Sequence, residues 1–168
     1  IKLGLNMHKD IDIIIYGATG FTGKLCVKYF QSLDTTVTWA MAGRNLTKLK
    51  KVAEDNQTKV EILIADSDDE SALDDLTARA KVILSTTGPF HRYGSKLVAS
   101  CIKNHAHYVD ITGENFWVKG LIEKHHAEAL AKGIRIIPSC GFDSIPSDLG
   151  TFFSAKAIGK PIKRIESF

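Results

Sequence analysis

Paired cysteines, long apolar runs and an excess of one charge are all missing from this chain, and each absence removes a class of protein. Cys26, Cys101 and Cys140 are the only cysteines among 168 residues. They are odd in number, widely spaced and never arranged as CxxC, which argues against a disulfide framework or a structural zinc site. A reducing compartment, the cytoplasm, is the expectation, with the thiols serving as small core side chains. The 22 Lys and Arg against 19 Asp and Glu leave a formal charge of +3, with the two signs interspersed. A balance so weakly basic calls for neither nucleic acid nor an anionic membrane as partner. No apolar stretch approaches the ~18 residues of a membrane span. The start of the chain also lacks the basic region, apolar run and small-residue cleavage site of a signal peptide. Residues 1–10 are set aside as an N-terminal extension, with Met7 as the natural start this reading favours.

What the chain does have is alternation. Short β-rich apolar runs at 12–16, 36–42, 60–65, 81–86, 108–111 and 134–138 are separated by helix-like stretches at 23–32, 46–55, 70–80, 95–104 and 117–132. Six strands and five crossovers predict an α/β fold, a doubly wound parallel sheet of the Rossmann kind with helices on both faces. The length suits one well-buried domain and hardly two. That domain is placed at 11–145, and 146–168 is read as the start of a second, substrate or dimerisation domain. There Pro146 suits the first turn of a helix, and Leu149, Phe152, Phe153 and Ile158 give it an apolar face that needs a partner. The closing PIKRIESF, from Pro161, reads as a strand beginning.

The chemistry starts at YGATGFTGKL, Tyr16 to Leu25, directly after the first strand. Ala18 to Lys24 comes close to a nucleoside-triphosphatase P-loop, but Leu25 stands where a magnesium-holding hydroxyl belongs. The better reading is a dinucleotide loop of GxxGxxG spacing. Gly17 permits the tight turn out of the strand, Gly20 lets the main chain approach a diphosphate, and Gly23 lets the helix lie close to the sheet. Thr19, Phe21 and Thr22 complete the loop. The helix that follows turns its unpaired N–H groups and positive end toward the anion.

Nucleotide choice is made after the second strand, where an acid would hold the ribose 2′-hydroxyl of NAD. This chain has AGRNLTKL there. Arg44 offers a planar fork of donors to a 2′-phosphate, and Asn45 and Lys48 can add a donor or a charge. NADP(H) is therefore expected in preference to NAD(H). Asp66 ends the third strand, where its carboxylate can accept from the adenine amino group; an N-capping role for Asp66 or Asp68 is equally open. Thr87, Gly88, Pro89 and Phe90 follow the fourth strand at the edge the cofactor crosses, and Thr112, Gly113 and Glu114 occupy the same layer.

YGATGFTG, AGRN, TTGPFHRYG, YVDITGE and GFDSIPSD, in this order, resemble the N-terminal part of the saccharopine dehydrogenase-like oxidoreductases over nearly all of 11–150. The resemblance implies a Rossmann domain followed by a second α/β domain that supplies much of the substrate site and often the dimer contact. It also implies contact with the nicotinamide end for Gly88, Pro89 and Phe90 and for the Gly141 to Ser144 turn. Some eukaryotic relatives are associated with lipid droplets or membranes, and related bacterial enzymes reduce enoyl groups of lipid precursors. The resemblance assigns no catalytic residue, because the substrate-side residues lie in the second domain.

Other candidates weigh less. Tyr93 and Lys96 are one residue too close for the Tyr-x-x-x-Lys pair of a short-chain dehydrogenase. His91 and Tyr93 follow the TGPF turn, where a proton donor could stand, although loop His and Tyr are commonly surface residues. His105, His107, His125 and His126 lack the companions of a zinc site and read as helix-capping or solvated. Asp143 is as suited to capping the last helix as to chemistry. The leading expectation is an NADP(H)-dependent oxidoreductase acting on a polarised C=N, C=C or C=O bond of a small molecule, lipid-like or amino-acid-derived. The alternative is a non-catalytic NADP(H)-sensing regulator of the NmrA type.

Overall fold

The structure, a computed structural model, describes residues 9–166. Six strands alternate with six helices: β1 Ile11–Tyr16, α1 Phe21–Ser32, β2 Trp39–Gly43, α2 Leu46–Asp55, β3 Glu61–Ile64, α3 Glu70–Arg79, β4 Ala80–Ser85, α4 Phe90–Lys103, β5 His107–Asp110, α5 Asn115–Lys132, β6 Ile136–Ile137 and α6 Ile145–Ile158. Every pairing is parallel, and the strand order is β3-β2-β1-β4-β5-β6. The chain winds outward from β1 through β2 to β3, then crosses back to β4. That reversal opens a crevice above the carboxyl ends of β1 and β4, the place where such sheets bind ligands.

The period of two along each strand divides the core in two. Ile14, Ala40, Ala42 and Ile83 point into one cluster, completed by Leu73 and Leu76 of α3, Leu97 and Val98 of α4, and Trp117 and Leu121 of α5. Ile15 and Met41 point the other way, to meet Val27 of α1 and Leu49 and Val52 of α2. Both faces of the sheet are covered, which is why its strands read as continuous apolar runs.

Several boundaries differ from those the sequence suggests. β2 begins at Trp39, and β6 is two residues long. Helix α4 begins at Phe90, five residues before its expected start, because Glu114 caps it from another loop. α6 forms, but its large apolar side chains Leu149, Phe152, Phe153 and Ile158 are all exposed, and none of its residues is buried. Residues 161–166 form no strand, and the remainder of the expected strand, like the first eight residues of the extension, lies outside the described residues. Of the cysteines only Cys101 is fully buried; Cys26 and Cys140 are half-exposed, and all three are free thiols. His125 is buried in the groove between α5 and β6 instead of being solvated.

Gly94 shows how tightly α4 and α5 pack. A Cβ there would lie 2.6 Å from Trp117 Cζ2. The indole cannot swing aside, since its Nε1 donates to Ser95 Oγ at 2.9 Å and its ring packs on Phe90. Gly94→Ala is therefore expected to lower stability by about 1–3 kcal/mol although alanine is the better helix former. Gly120→Ala in α5, where a Cβ meets nothing within 4 Å, should raise it by about 0.5–1 kcal/mol. Urea midpoints of the two variants check the pair, and an unchanged Gly94→Ala midpoint would contradict the packing described.

Candidate functional site

The first crossover meets the sheet through bare main chain. Gly17 has φ +86°, and its N–H donates to Ala42 O at 2.9 Å, locking the turn out of β1 to the end of β2. A Cβ on Gly17 would stand 2.3 Å from Thr87 Oγ1, and one on Gly23 would stand 2.2 Å from Gly17 O. Only glycine fits either place. At Gly20 the one near neighbour of an added Cβ is Gly17 O at 3.3 Å, so this glycine's outer face is open. Thr86 braces the loop from β4, its hydroxyl 3.2 Å from the carbonyls of both Tyr16 and Gly17.

Helix α1 starts uncapped. Its N-cap is Gly20, no side chain bonds its first N–H groups and no acid stands in its first turn. Its neighbours are treated differently. Asn45 Oδ1 accepts from Lys48 N at the start of α2, and Asp69 Oδ1 accepts from Ala72 N at the start of α3. The cap of α3 is thus Asp69, neither Asp66 nor Asp68; Asp66 Oδ1 accepts from Asp68 N in the turn before it. The N–H groups of Phe21, Thr22 and Gly23, ahead of the first intrahelical bond from Lys24 N to Gly20 O, remain for an anion.

In front of them lies a cleft of about 230 Å³, bordered by Gly17, Thr19 and Gly20 from the loop, Gly43 and Arg44 after β2, and Thr86, Thr87 and Gly88 after β4. Tyr16, Ser67 and Tyr93 also reach it. Thr87 Oγ1, beside Gly17, is buried without a hydrogen-bond partner. A built cradle with a buried unpaired hydroxyl fits a phosphate-bearing ligand better than an ordinary turn. Tyr16 closes the floor, its hydroxyl donating to Ala65 O at 3.3 Å, and burial pushes that hydroxyl above its ordinary range, aided by the Asp66 carboxylate.

Of the residues singled out in the sequence, the cleft gathers Gly17, Thr19, Gly20, Arg44, Thr87, Gly88 and Tyr93. Phe21 is 85% exposed at the head of α1, while Thr22 and Gly23 lie in its first turn. Asn45 spends its side-chain oxygen capping α2, and Lys48 is exposed one turn along that helix. Pro89, joined to Gly88 by a cis peptide, precedes α4. The Phe90 ring is turned into the core, 5.9 Å from that of Trp117. Asp143 does not cap α6, whose N-cap Ser144 makes no side-chain cap bond. His105, at φ +55°, follows α4 in a left-handed turn, and His107 Nδ1 accepts from Arg135 N beside β5.

Two carboxylates shape the other half of this edge, and neither was given a role from the sequence. Glu114 accepts from Phe90 N and His91 N, both at 2.8 Å, and from His91 Nδ1 at 2.7 Å. It caps α4 from the loop before α5 and so holds the Gly88–Pro89 turn in place. Asp110, 1% exposed, accepts from Thr112 N and Ser139 N, both at 3.0 Å, and from the Tyr108 hydroxyl at 2.8 Å. Burial raises its pKa against those bonds. No helix among the described residues is long and apolar enough to cross a membrane, and none of their His, Cys, Asp and Glu side chains cluster as a metal site.

Fold and site together define a dinucleotide-binding Rossmann domain, with a glycine cradle and a bare helix start at the topological switch point. A family model described as the Saccharopine dehydrogenase NADP binding domain matches residues 13–137, and the chain belongs to that family. It is 41% identical over 147 residues to the "Trans-acting enoyl reductase" of Mycobacterium leprae (strain TN), covering 86% of this chain and 35% of that protein. It is 34% identical over 166 residues to the "Lipid droplet localized protein" of Caenorhabditis elegans, covering 94% of this chain and 39% of that one. Among solved structures, apo saccharopine dehydrogenase (L-Glu forming) from Saccharomyces cerevisiae superposes with a TM-score of 0.73 at 19% identity, over 89% of this chain and 31% of that chain. The chain thus spans little more than a third of the length of these relatives. The family is NADP-binding, and a nicotinamide dinucleotide is the ligand class the cleft is shaped for.

The cap at Glu114 can be tested without ligand. Burial pushes this carboxyl up, but the N–H groups of His91 and Phe90 and the His91 imidazole outweigh it and hold its pKa below 4.5. A lowered folded pKa contributes stability that is present above the unfolded value and is lost as pH falls through the folded one. Glu114→Gln should therefore cost about 1 kcal/mol at pH 7, with the gap to the parent protein closing below 4.5. Urea unfolding across that range decides; a gap independent of pH would remove the charged cap.

Proposed function

We propose that this chain is the cofactor-binding domain of an NADP(H)-dependent oxidoreductase, and that the whole protein moves hydride to a polarised double bond. One observation carries the reading: α1 begins with no side-chain cap and no acid in its first turn, and it opens onto a cleft bordered by Arg44 with no acid among its lining residues. The N–H groups of Phe21, Thr22 and Gly23 would hold the diphosphate across Gly20. Arg44 would take the 2′-phosphate with its planar donors, a group an aspartate at the same place would repel. Thr87 Oγ1, buried and unpaired, would donate to the cofactor where it crosses from β1 to β4. The Glu114 cap would keep the Gly88–Pro89 turn rigid beneath the nicotinamide end. When bound, the reduced nicotinamide supplies the hydride; the chain binds, orients and shields it.

The reduced bond proposed is the C=C of an enoyl group on a lipid-like molecule. The trans-acting enoyl reductase of Mycobacterium leprae and the lipid droplet localized protein of Caenorhabditis elegans support that class over an amino-acid-derived imine. A second unit reached through α6, whose apolar side chains are exposed, would supply the substrate walls and a homodimer contact. Lipid-droplet association of the whole protein rests on the nematode relative.

NADPH should bind this chain tighter than NADH by about 1–3 kcal/mol, the range of a hydrogen bond to a charged group. Arg44→Ala should erase most of that difference while leaving NADH affinity nearly unchanged. Calorimetric titration of both coenzymes measures it, and equal affinities for the unsubstituted protein would count against Arg44 as the selector.

A further inference from the structure

One wall of the cleft has no role in the function proposed above. Tyr93 stands in the first turn of α4, its N–H bonded to Pro89 O at 3.1 Å, and borders the same space as Gly43, Arg44 and Ser67. Among the described residues, nothing beyond the start of α4 borders that space. It therefore lies away from the loops that follow β5 and β6, over the half of the sheet that ends in Arg44.

Two contacts hold Tyr93 in this wall. Lys96, three residues further along the helix, donates from Nζ to Asp68 O at 3.2 Å, which ties α4 to the β3–α3 loop carrying Ser67. The Arg92 guanidinium lies over the Tyr93 ring, 5.3 Å from its centroid, and occupies one of its faces. The other aromatic ring at the cleft, Tyr16, is 2% exposed with its hydroxyl committed to Ala65 O. Tyr93 is half-buried and is the ring with surface to offer.

We propose that Tyr93 is the aromatic wall against which the purine base of the dinucleotide stacks, and thus sets affinity for the adenosine half. The inference rests on the NADP(H) reading of the cleft. If Arg44 takes the 2′-phosphate, the base on that same ribose is held within one sugar's reach, at the end of the cleft that Ser67 and Tyr93 enclose. Asp66, the carboxylate that could read the adenine amino group, already accepts from Asp68 N through Oδ1. Stacking needs only a flat apolar face, and Tyr93 offers one at that end of the cleft.

Adenosine 2′,5′-bisphosphate tests this directly, because it carries base, ribose and 2′-phosphate and no nicotinamide, so its binding is independent of turnover. In calorimetric titration of this chain, Tyr93→Ala should bind it about tenfold more weakly and Tyr93→Phe within about twofold of the parent, since a base stack needs the ring and not the hydroxyl. If Tyr93→Ala fails to fold by circular dichroism, Tyr93→Leu keeps apolar bulk without a ring and should show the same loss. Unchanged affinity in the ring-less variant would overturn the proposal. Equal losses in Tyr93→Phe and Tyr93→Ala would also overturn it, since they would assign the effect to the hydroxyl. A parent protein that binds neither the bisphosphate nor NADPH would instead refute the function proposed for the cleft.

Discussion

The start of α1 lies within an ångström or two of being impossible, and the site follows from how the chain makes it possible. To bring N–H groups to the crevice between β1 and β4, the helix must begin almost on top of the loop that precedes it. Gly23 sits where any Cβ would meet Gly17 O at 2.2 Å, and Gly17 sits where one would meet Thr87 Oγ1 at 2.3 Å. The N-cap position itself is Gly20, which has no side chain to close the helix start and whose outer face is open. The helix thus packs against the sheet through Gly17 and Gly23 while its positive end stays open to an anion. Helices α2 and α3, by contrast, are capped by ordinary means, with Asn45 and Asp69. Arg44 then borders the opening after β2 and gives the cleft a cation beside the helix dipole.

The other half of the carboxyl edge is organised by carboxylates. Glu114 joins the beginnings of α4 and α5, accepting from Phe90 and His91 while its own N–H donates to Thr112 Oγ1 at 3.0 Å. Asp110 binds the loops after β5 and β6 together, and Ser139 Oγ reinforces the link by donating to Thr112 O at 2.8 Å. Each carboxylate accepts three hydrogen bonds, which fix the loops around it. The Glu114 cap thereby fixes the Gly88–Pro89 turn at the border of the cleft.

Much of this architecture is legible in the residues themselves. The period of two in IDIIIY and KVILS places Ile14 and Ile83 on one face and Ile15 and Leu84 on the other, and three glycines at fixed spacing mark the cradle. What escapes is whatever depends on a partner distant in sequence. The early start of α4 is one case: nothing near Phe90 announces a helix, because its cap is Glu114, 24 positions away. The cap of α3 is another: the sequence suggests Asp66 or Asp68, and only the phase of the helix selects Asp69. His125 reads as polar but is covered by the groove between α5 and β6. Tyr93 is marked by its place after the TGPF turn, but that it faces the side of the cleft with Arg44 and Ser67 follows only from the packing of α4 against the β3–α3 loop.

Backbone amide NMR of this chain titrated with NADPH addresses the open helix start most directly. The account predicts that the largest shifts fall on the N–H groups of Thr19 to Gly23, with smaller ones at Thr87 and Gly88 and little change at β6. Saturation that leaves the Thr19 to Gly23 amides unmoved, or that concentrates the shifts in the groove between α5 and β6, would contradict it.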